Sequence, residues 1–134
     1  MQKLFGAVAL LVVGFALAGF AQTRAPSAEE GRQLFLTYCA SCHGNSARGD
    51  GPAASAMRVP PANLTELAKR NGAVFPTERT RRIIDGREVG AHGNPNMPVW
   101  GDAFRRREGL DEAAVKARID AIVRYLESVQ VRVS

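Results

Sequence analysis

The sequence is short of several residue types that small proteins use to hold themselves together. Cysteine occurs only twice, tryptophan once and tyrosine twice among 134 residues, and aromatic residues make up 7% of the chain. Two cysteines allow one disulfide bond at most, which excludes the disulfide-rich scaffolds of many small exported domains. The length leaves room for one domain of ordinary size and excludes a multidomain enzyme.

Large apolar side chains are also scarce once the first 21 residues are set aside. Leu, Ile, Val and Phe together number 22 of the remaining 113 residues, while all seven prolines and ten of the thirteen glycines lie in this part. In a chain with so few large apolar residues, burial of side chains alone is barely enough to offset the entropy lost on folding. The sequence therefore predicts a loop-rich domain that wraps around something else that supplies part of its core.

The first 21 residues have a different composition. Apolar residues run without a break from Leu4 to Ala21, after Lys3 and the amino terminus, and the run ends in small residues. This pattern is typical of a secretory signal peptide, and we expect cleavage after Ala21. Its 18 residues also reach the lower limit for a membrane span, so an uncleaved anchor is the alternative. We expect residues 22–134 to form a single domain in the periplasm, attached to the inner membrane only if the signal is not cleaved.

Both cysteines lie in one short motif, Cys39-Ala40-Ser41-Cys42-His43, which has the C-x-x-C-H spacing of covalent c-type haem attachment. A capping box formed by Ser27 and Glu30 predicts a helix that ends at this motif. Two cysteines three residues apart on a helix are close neighbours, so their sulfurs can bond the two vinyl groups of one porphyrin. His43 is then placed to ligate the iron.

Three other kinds of site use the same residue types. A thioredoxin-like dithiol needs its cysteines at a helix N-terminus among alternating strands and helices, and no convincing strand pattern follows this motif. A zinc site drawn from Cys39, Cys42, His43 and His92 would require two adjacent residues to reach one tetrahedral centre, which is rare. A disulfide bond would use the cysteines but would leave the histidine without a role. Haem attachment is the interpretation that we favour.

Further residues along the chain add to this motif. They are Gly31 and Phe35 before it, Gly51-Pro52 after it, Met97-Pro98 with Trp100, and Tyr125-Leu126 near the end. With these residues the stretch from about Ala28 to Val129 resembles the class I, monohaem cytochromes c of bacteria. The resemblance implies an all-α protein with the class I cytochrome c fold, in which short helices and loops wrap around one covalently bound haem.

The same resemblance implies particular contacts inside the domain. Gly31 would let the first and last helices cross at close range, and Phe35 would pack against Tyr125 and Ile122. These contacts concern stability rather than chemistry.

Two short helices are predicted in the middle of the chain. Asn63 and Glu66 have the spacing of a capping box, which predicts a helix over residues 64–71. Thr77 is placed to cap another helix that runs to Gly86.

A longer helix is predicted to begin near Asp111 and to close the domain. Its apolar residues recur at steps of three and four: Val115, Ile119, Ile122, Leu126 and Val129. On its charged face, Asp120 and Arg124 have the spacing of an i,i+4 ion pair.

The stretch from Gly44 to Ala62 is loop by composition, because glycine and proline interrupt any helical period. So long a loop is unusual in a small domain unless it binds something, and haem meets that condition. The family resemblance implies that the Pro52 carbonyl accepts a hydrogen bond from the second ring nitrogen of His43 and so orients the imidazole.

The second axial ligand of the iron has three candidates, Met57, His92 and Met97. Met97 is favoured because Pro95 and Pro98 bracket it, and a stiff loop can hold a thioether at little entropic cost. Met57 is more simply explained as a surface or gap-filling residue, and His92 as a loop histidine.

Ligation by His43 and Met97 leaves the iron no position for a substrate, and methionine raises the reduction potential. We therefore expect a one-electron carrier and not an enzyme. The indole of Trp100 is placed to contact the haem edge or a propionate. The alternatives are a haem subunit of a larger periplasmic oxidoreductase and a gas-binding or peroxidase-like cytochrome with an open distal site.

The net charge of the chain is +5, and arginines cluster at Arg81-Arg82 and Arg105–Arg107. We expect redox donor and acceptor proteins with acidic docking surfaces as partners. Export and the haem motif argue against nucleic acid as the partner of these clusters. An ordinary solvated surface is the simpler explanation of any charge run.

Overall fold

The computed structural model describes residues 24–88 and 96–132, and the expected signal segment, residues 1–21, lies outside these ranges. Within them the chain is helical without strands, which confirms the all-α prediction. The α-helices are α1 (Ala28–Tyr38), α2 (Ala40–His43), α3 (Thr77–Asp85), α4 (Trp100–Glu108) and α5 (Glu112–Ser128). Three 3₁₀ turns lie between α2 and α3: Ala54–Ala56, Leu64–Glu66 and Lys69–Asn71. In the described part of the chain, no helix has the length and apolar character needed to cross a membrane.

Helix α1 begins where the capping box predicts. The Ser27 hydroxyl accepts a hydrogen bond from the Glu30 backbone N–H at 3.1 Å, and the Glu30 carboxylate accepts one from the Ser27 N–H at 2.6 Å. The helix ends at Tyr38, and Cys39 separates it from α2, which contains the rest of the motif. The motif thus follows α1 after a break of one residue.

Helices α1 and α5 cross at close range in the core. A β-carbon at Gly31 would overlap the Ala121 carbonyl group and would lie only 3.0 Å from the Tyr125 β-carbon, so a side chain does not fit there. One turn later the Phe35 ring packs against the Tyr125 ring, with centroids 5.1 Å apart. Phe35 and Ile122 belong to the same buried cluster. These contacts agree with those that the family resemblance implies.

The apolar stripe of α5 faces the core, as its periodicity predicts. Asp111 caps the helix by accepting a hydrogen bond from the Ala114 N–H at 2.8 Å. Four residues of the stripe are buried: Val115, Ile119, Ile122 and Leu126.

The prediction of an ion pair between Asp120 and Arg124 is wrong. Asp120 instead pairs with Lys116 at 2.6 Å and with Arg81 of α3 at 2.5 Å. Because Arg81 comes from another helix, spacing along α5 could not reveal this partner.

Residues 64–71 form two 3₁₀ turns and not the single helix predicted there. The Asn63 side chain caps the first turn through the Thr65 N–H at 3.0 Å. The Ala68 N–H and the carbonyl four residues before it would bond each other in an α-helix. Both bind the side-chain amide of Gln130 instead, at 2.9 and 2.8 Å. A tertiary contact therefore replaces the helical hydrogen bond.

Helix α3 ends before Gly86, as predicted, but Thr77 is its first residue and does not cap it. Helix α4 was not predicted at all. Its buried residues are Gly101 and Phe104. These positions have helical spacing, but the helix is only nine residues long and no side chain caps its start, so its signal in the sequence is short.

Candidate functional site

A cavity of about 440 Å³ lies beside the buried core, and its walls are mostly apolar. Helices α1, α2 and α3 and the two segments 57–71 and 96–100 contribute to these walls. All four residues that the sequence assigned to haem attachment and ligation line it: Cys39, Cys42, His43 and Met97. Its volume is in the range of cavities that bind cofactors.

The two cysteines stand in the wall as free thiols and do not form a disulfide bond. The short helix α2 fixes their spacing, since the His43 N–H donates to the Cys39 carbonyl at 2.9 Å and the Cys42 N–H donates to the same carbonyl at 3.2 Å. Burial raises the pKa of the Cys39 thiol to about 12, and the neighbouring Cys42 adds to the shift. Thiol exchange uses the thiolate, so this environment disfavours it.

Among the described residues, no group of three or more His, Cys, Asp or Glu side chains is arranged to hold a metal ion by itself. His92, the fourth residue of the zinc site considered above, lies outside these residues. The geometry around Cys39, Cys42 and His43 therefore does not form the closed cage of a structural zinc site.

The imidazole of His43 is oriented by the Ala62 carbonyl, which is 3.1 Å from Nδ1. Because a carbonyl oxygen only accepts, Nδ1 carries the proton, and the lone pair of Nε2 is left to ligate iron. Burial lowers the pKa of His43 and so favours the neutral, ligating form.

The expectation that the Pro52 carbonyl would orient His43 is wrong. The Gly51-Pro52 turn supports the backbone of α2 instead. The Gly51 N–H donates to the Cys42 carbonyl at 3.1 Å, and the Ala53 N–H donates to the Ser41 carbonyl at 2.9 Å. The turn thus helps to hold the attachment motif rather than the ring of the histidine.

Two methionines line the cavity, Met57 and Met97. Met97 is partly buried and packs against the core cluster. Met57 directly follows the 3₁₀ turn Ala54–Ala56, so it reaches the wall from the loop after α2. His92 and Pro95 lie outside the described residues. The described part of the cavity therefore offers two thioethers, of which sequence reasoning singled out one.

Trp100 also lines the cavity, as part of a cluster of aromatic rings. Its ring centroid lies 5.4 Å from that of Tyr38 and 5.5 Å from that of Phe104. The Tyr38 hydroxyl donates to the Glu108 carboxylate at 2.6 Å, and this bond raises the pKa of the phenol. Sequence reasoning missed Tyr38, whose one signal is its place before Cys39.

Polar side chains at the cavity include two arginines that the sequence analysis did not single out, Arg70 and Arg79. Both are exposed, and Arg70 also pairs with Glu66 at 3.0 Å. Haem carries two propionate carboxylates, and guanidinium groups bind carboxylates well. The cavity therefore fits haem: it has thiols for the vinyl groups, a neutral imidazole and thioethers for the iron, and cations for the propionates.

Comparison with known proteins agrees with this chemistry. The family model described as cytochrome c matches residues 28–130, which is most of the chain. Neither the curated proteins nor the solved structures contain a significant match. On the strength of the family match, the chain belongs to the cytochrome c family, whose members bind covalent haem c with its iron.

Proposed function

We propose that this protein is a periplasmic one-electron carrier, a class I monohaem cytochrome c of the bacterial type. Haem-based electron transfer is the function of its family. The observation that carries the proposal is the single cavity shared by Cys39, Cys42, His43 and Met97. Haem supplies the one-electron chemistry when bound, and the chain sets its potential and its access to partners.

In this proposal Cys39 and Cys42 form the two thioether bonds, and His43 and Met97 are the axial ligands. The two ligands of one iron bind from opposite faces of the porphyrin. Met57 follows the loop that is hydrogen-bonded to α2, so it is tied to the same wall as His43. Met97 comes from the separate segment between α3 and α4, which supports its choice as the distal ligand.

Both proposed ligands are neutral side chains. They fit the ferric and the ferrous state without a proton having to bind or leave, which suits a carrier that cycles between the two states. With both positions filled, no site is left for a substrate. This supports the assignment as a carrier and not an enzyme.

The purified haem-loaded protein tests the proposal directly. We expect the far-red absorption of methionine-ligated ferric haem, slow binding of carbon monoxide to the ferrous form, and a mass equal to one haem plus a chain that begins near Gln22. Prompt carbon monoxide binding would favour the gas-binding or peroxidase-like alternative instead. A stable co-purifying partner would indicate that the protein is a subunit of a larger oxidoreductase. An intact Met1 would indicate a membrane anchor. A colourless protein would indicate a thiol or zinc module.

The proposal includes redox partners with acidic docking surfaces, which would meet the arginine cluster of α4. This helix begins at Trp100 in the cavity wall and continues into the exposed cluster Arg105–Arg107. The charges of the cluster are only partly matched by its neighbours. Arg106 pairs with Asp102 at 3.3 Å and Arg105 with Glu112 at 3.5 Å, both at exposed positions. An exposed run of three arginines therefore extends along α4 away from the haem cavity.

Reversing this charge is expected to slow electron transfer. The variant Arg106→Glu with Arg107→Glu should lower the bimolecular rate with an acidic redox protein by about tenfold at low salt, because opposite charge steers the encounter. The effect should shrink as the screening length falls to about 8 Å at physiological ionic strength. Stopped-flow rates at several salt concentrations measure it, and the spectrum and potential should stay unchanged.

A matched control makes the same change in net charge elsewhere. Arg124 is exposed on α5, twelve residues beyond Glu112 and hence about 18 Å along the helix from it. Arg124→Glu with Arg132→Glu should leave the rate close to that of the parent protein. Equal slowing by the two pairs, or a rate that does not depend on salt, would show that the cluster is an ordinary solvated surface.

A further inference from the structure

Arg87 lies just after α3 and forms a two-sided clamp. Its guanidinium forms a bidentate ion pair with the Asp85 carboxylate, with Nε 2.7 Å from Oδ1 and Nη2 2.8 Å from Oδ2. Its remaining nitrogen, Nη1, donates to both carboxylate oxygens of Glu112 at 2.9 Å. The side chains of Arg87 and Asp85 are 27% and 24% exposed, so the pair is partly shielded from water. Arg87 therefore joins the end of α3 to the start of α5.

Helix α4 rests directly on this clamp at Gly101, its second residue. A β-carbon at Gly101 would overlap Arg87 Nε and would lie 2.6 Å from Asp85 Oδ1. Any side chain at this position would therefore push the guanidinium and the carboxylate apart. The end of α3 and the beginnings of α4 and α5 thus meet at one guanidinium group.

The segment that joins α3 to α4 carries Met97, four residues before Gly101. Arg87 stands where the chain leaves α3, and Gly101 packs on it where the chain has entered α4, so the clamp contacts the described residues on both sides of this segment. We propose that Arg87 is a positioning residue for Met97: by fixing these two ends it keeps the thioether at the haem cavity. This inference rests on the proposed function, in which Met97 is the distal ligand.

Fixed ends matter because the methionine bond to iron is easily lost in the ferric state. A thioether is a soft ligand and suits ferric iron less well than ferrous iron. A segment with fixed ends loses less entropy when it places its side chain than a segment with free ends does. Loss of the clamp should therefore raise the fraction of ferric protein in which the methionine has dissociated.

Imidazole binding to the ferric haem-loaded protein measures that fraction, because added imidazole binds iron only where the methionine has left. The apparent affinity is the intrinsic affinity multiplied by the open fraction, so a tenfold larger open fraction gives a tenfold higher affinity. We expect Arg87→Gln to raise the affinity by about tenfold and to weaken the far-red absorption. Arg87→Lys keeps the charge but loses the planar fork, and should lie between the parent and Arg87→Gln.

Arg81→Gln is the matched control. Arg81 also lies on α3, is 25% exposed and pairs with Asp120 of α5 at 2.5 Å, but it is not at the Met97 segment. It should lower the urea midpoint of unfolding about as much as Arg87→Gln does and leave imidazole binding unchanged. If both variants raise the imidazole affinity equally, or if neither does, Arg87 has no positioning role. Gly101→Ala gives a second test, since it should raise the affinity by disturbing the clamp from α4.

Met97→Ala in the same assay separates this inference from the proposed function. If Met97→Ala removes the far-red absorption and Arg87→Gln changes nothing, the ligand assignment holds and the positioning role is wrong. If the far-red absorption survives Met97→Ala, the proposed ligand itself is wrong, and the role of Arg87 falls with it.

Discussion

Without haem, the chain is expected to lose most of its helical structure. Without haem, the mostly apolar walls of the cavity of about 440 Å³ would be exposed to water, and an ordinary domain has a stability of only about 5–15 kcal/mol to set against that cost. The scarcity of large apolar residues points the same way, because few other side chains are available to fill the space. Far-ultraviolet circular dichroism of the chain expressed without haem attachment, beside the haem-loaded protein, measures the effect.

Two variants inside the attachment motif provide the control. Ser41 is exposed and lies between the two cysteines, and Ser41→Ala keeps both thiols and His43, so this variant should load haem and fold like the parent. Cys42→Ala removes one thioether bond and should yield much less haem-loaded, folded protein. A haem-free chain that keeps its helical signal and unfolds cooperatively would show that the protein core alone is sufficient.

The parts of the fold that sequence predicted are those fixed by local chemistry. The capping box of Ser27 and Glu30 sets the start of α1, and the repeated apolar spacing of α5 sets its buried face. Each of these signals lies within a few neighbouring residues. Their strength does not depend on what the rest of the chain does.

The errors lie where a distant residue competes with the local preference. Residues 64–71 have a helical pattern, but the Gln130 amide takes the hydrogen bonds that a helix would use. Asp120 has a suitable cation at Arg124, but Arg81 of α3 reaches it instead. Helix α4 has only a short local signal, and its first turn packs against the side chains of Arg87 and Asp85 at Gly101.

The same distinction between local and distant signals applies to the residues of the haem cavity. Cys39, Cys42 and His43 were predicted because their spacing along the chain is itself the signal. The role of the Ala62 carbonyl and the presence of Arg79 at the cavity depend on how the loops fold, and no local pattern marks them. The same holds for Met57, which only the fold brings to the cavity.

Replacing Met97 by alanine is expected to open the iron. Alanine has no donor atom, so the ferric protein should lose the far-red absorption, and the ferrous protein should bind carbon monoxide promptly. The reduction potential should fall, because methionine is the ligand that raises it. A fall on the order of 0.1 V or more is expected, since axial ligands set haem potentials over a range of about 0.8 V. Visible spectra, carbon monoxide binding and a redox titration measure the three effects.

Met57→Ala is the matched control, because Met57 is the other methionine that lines the cavity. The two substitutions remove the same side-chain atoms. If Met57 only fills space beside the haem, this variant loses some stability and keeps the far-red absorption, the slow carbon monoxide binding and the potential. The two variants together decide which methionine is bound, because only the loss of a ligand changes all three properties at once. Far-red absorption that persists in Met97→Ala and disappears in Met57→Ala would transfer the role to Met57. A parent protein that lacks this absorption and binds carbon monoxide promptly only in His92→Ala would transfer the role to the histidine.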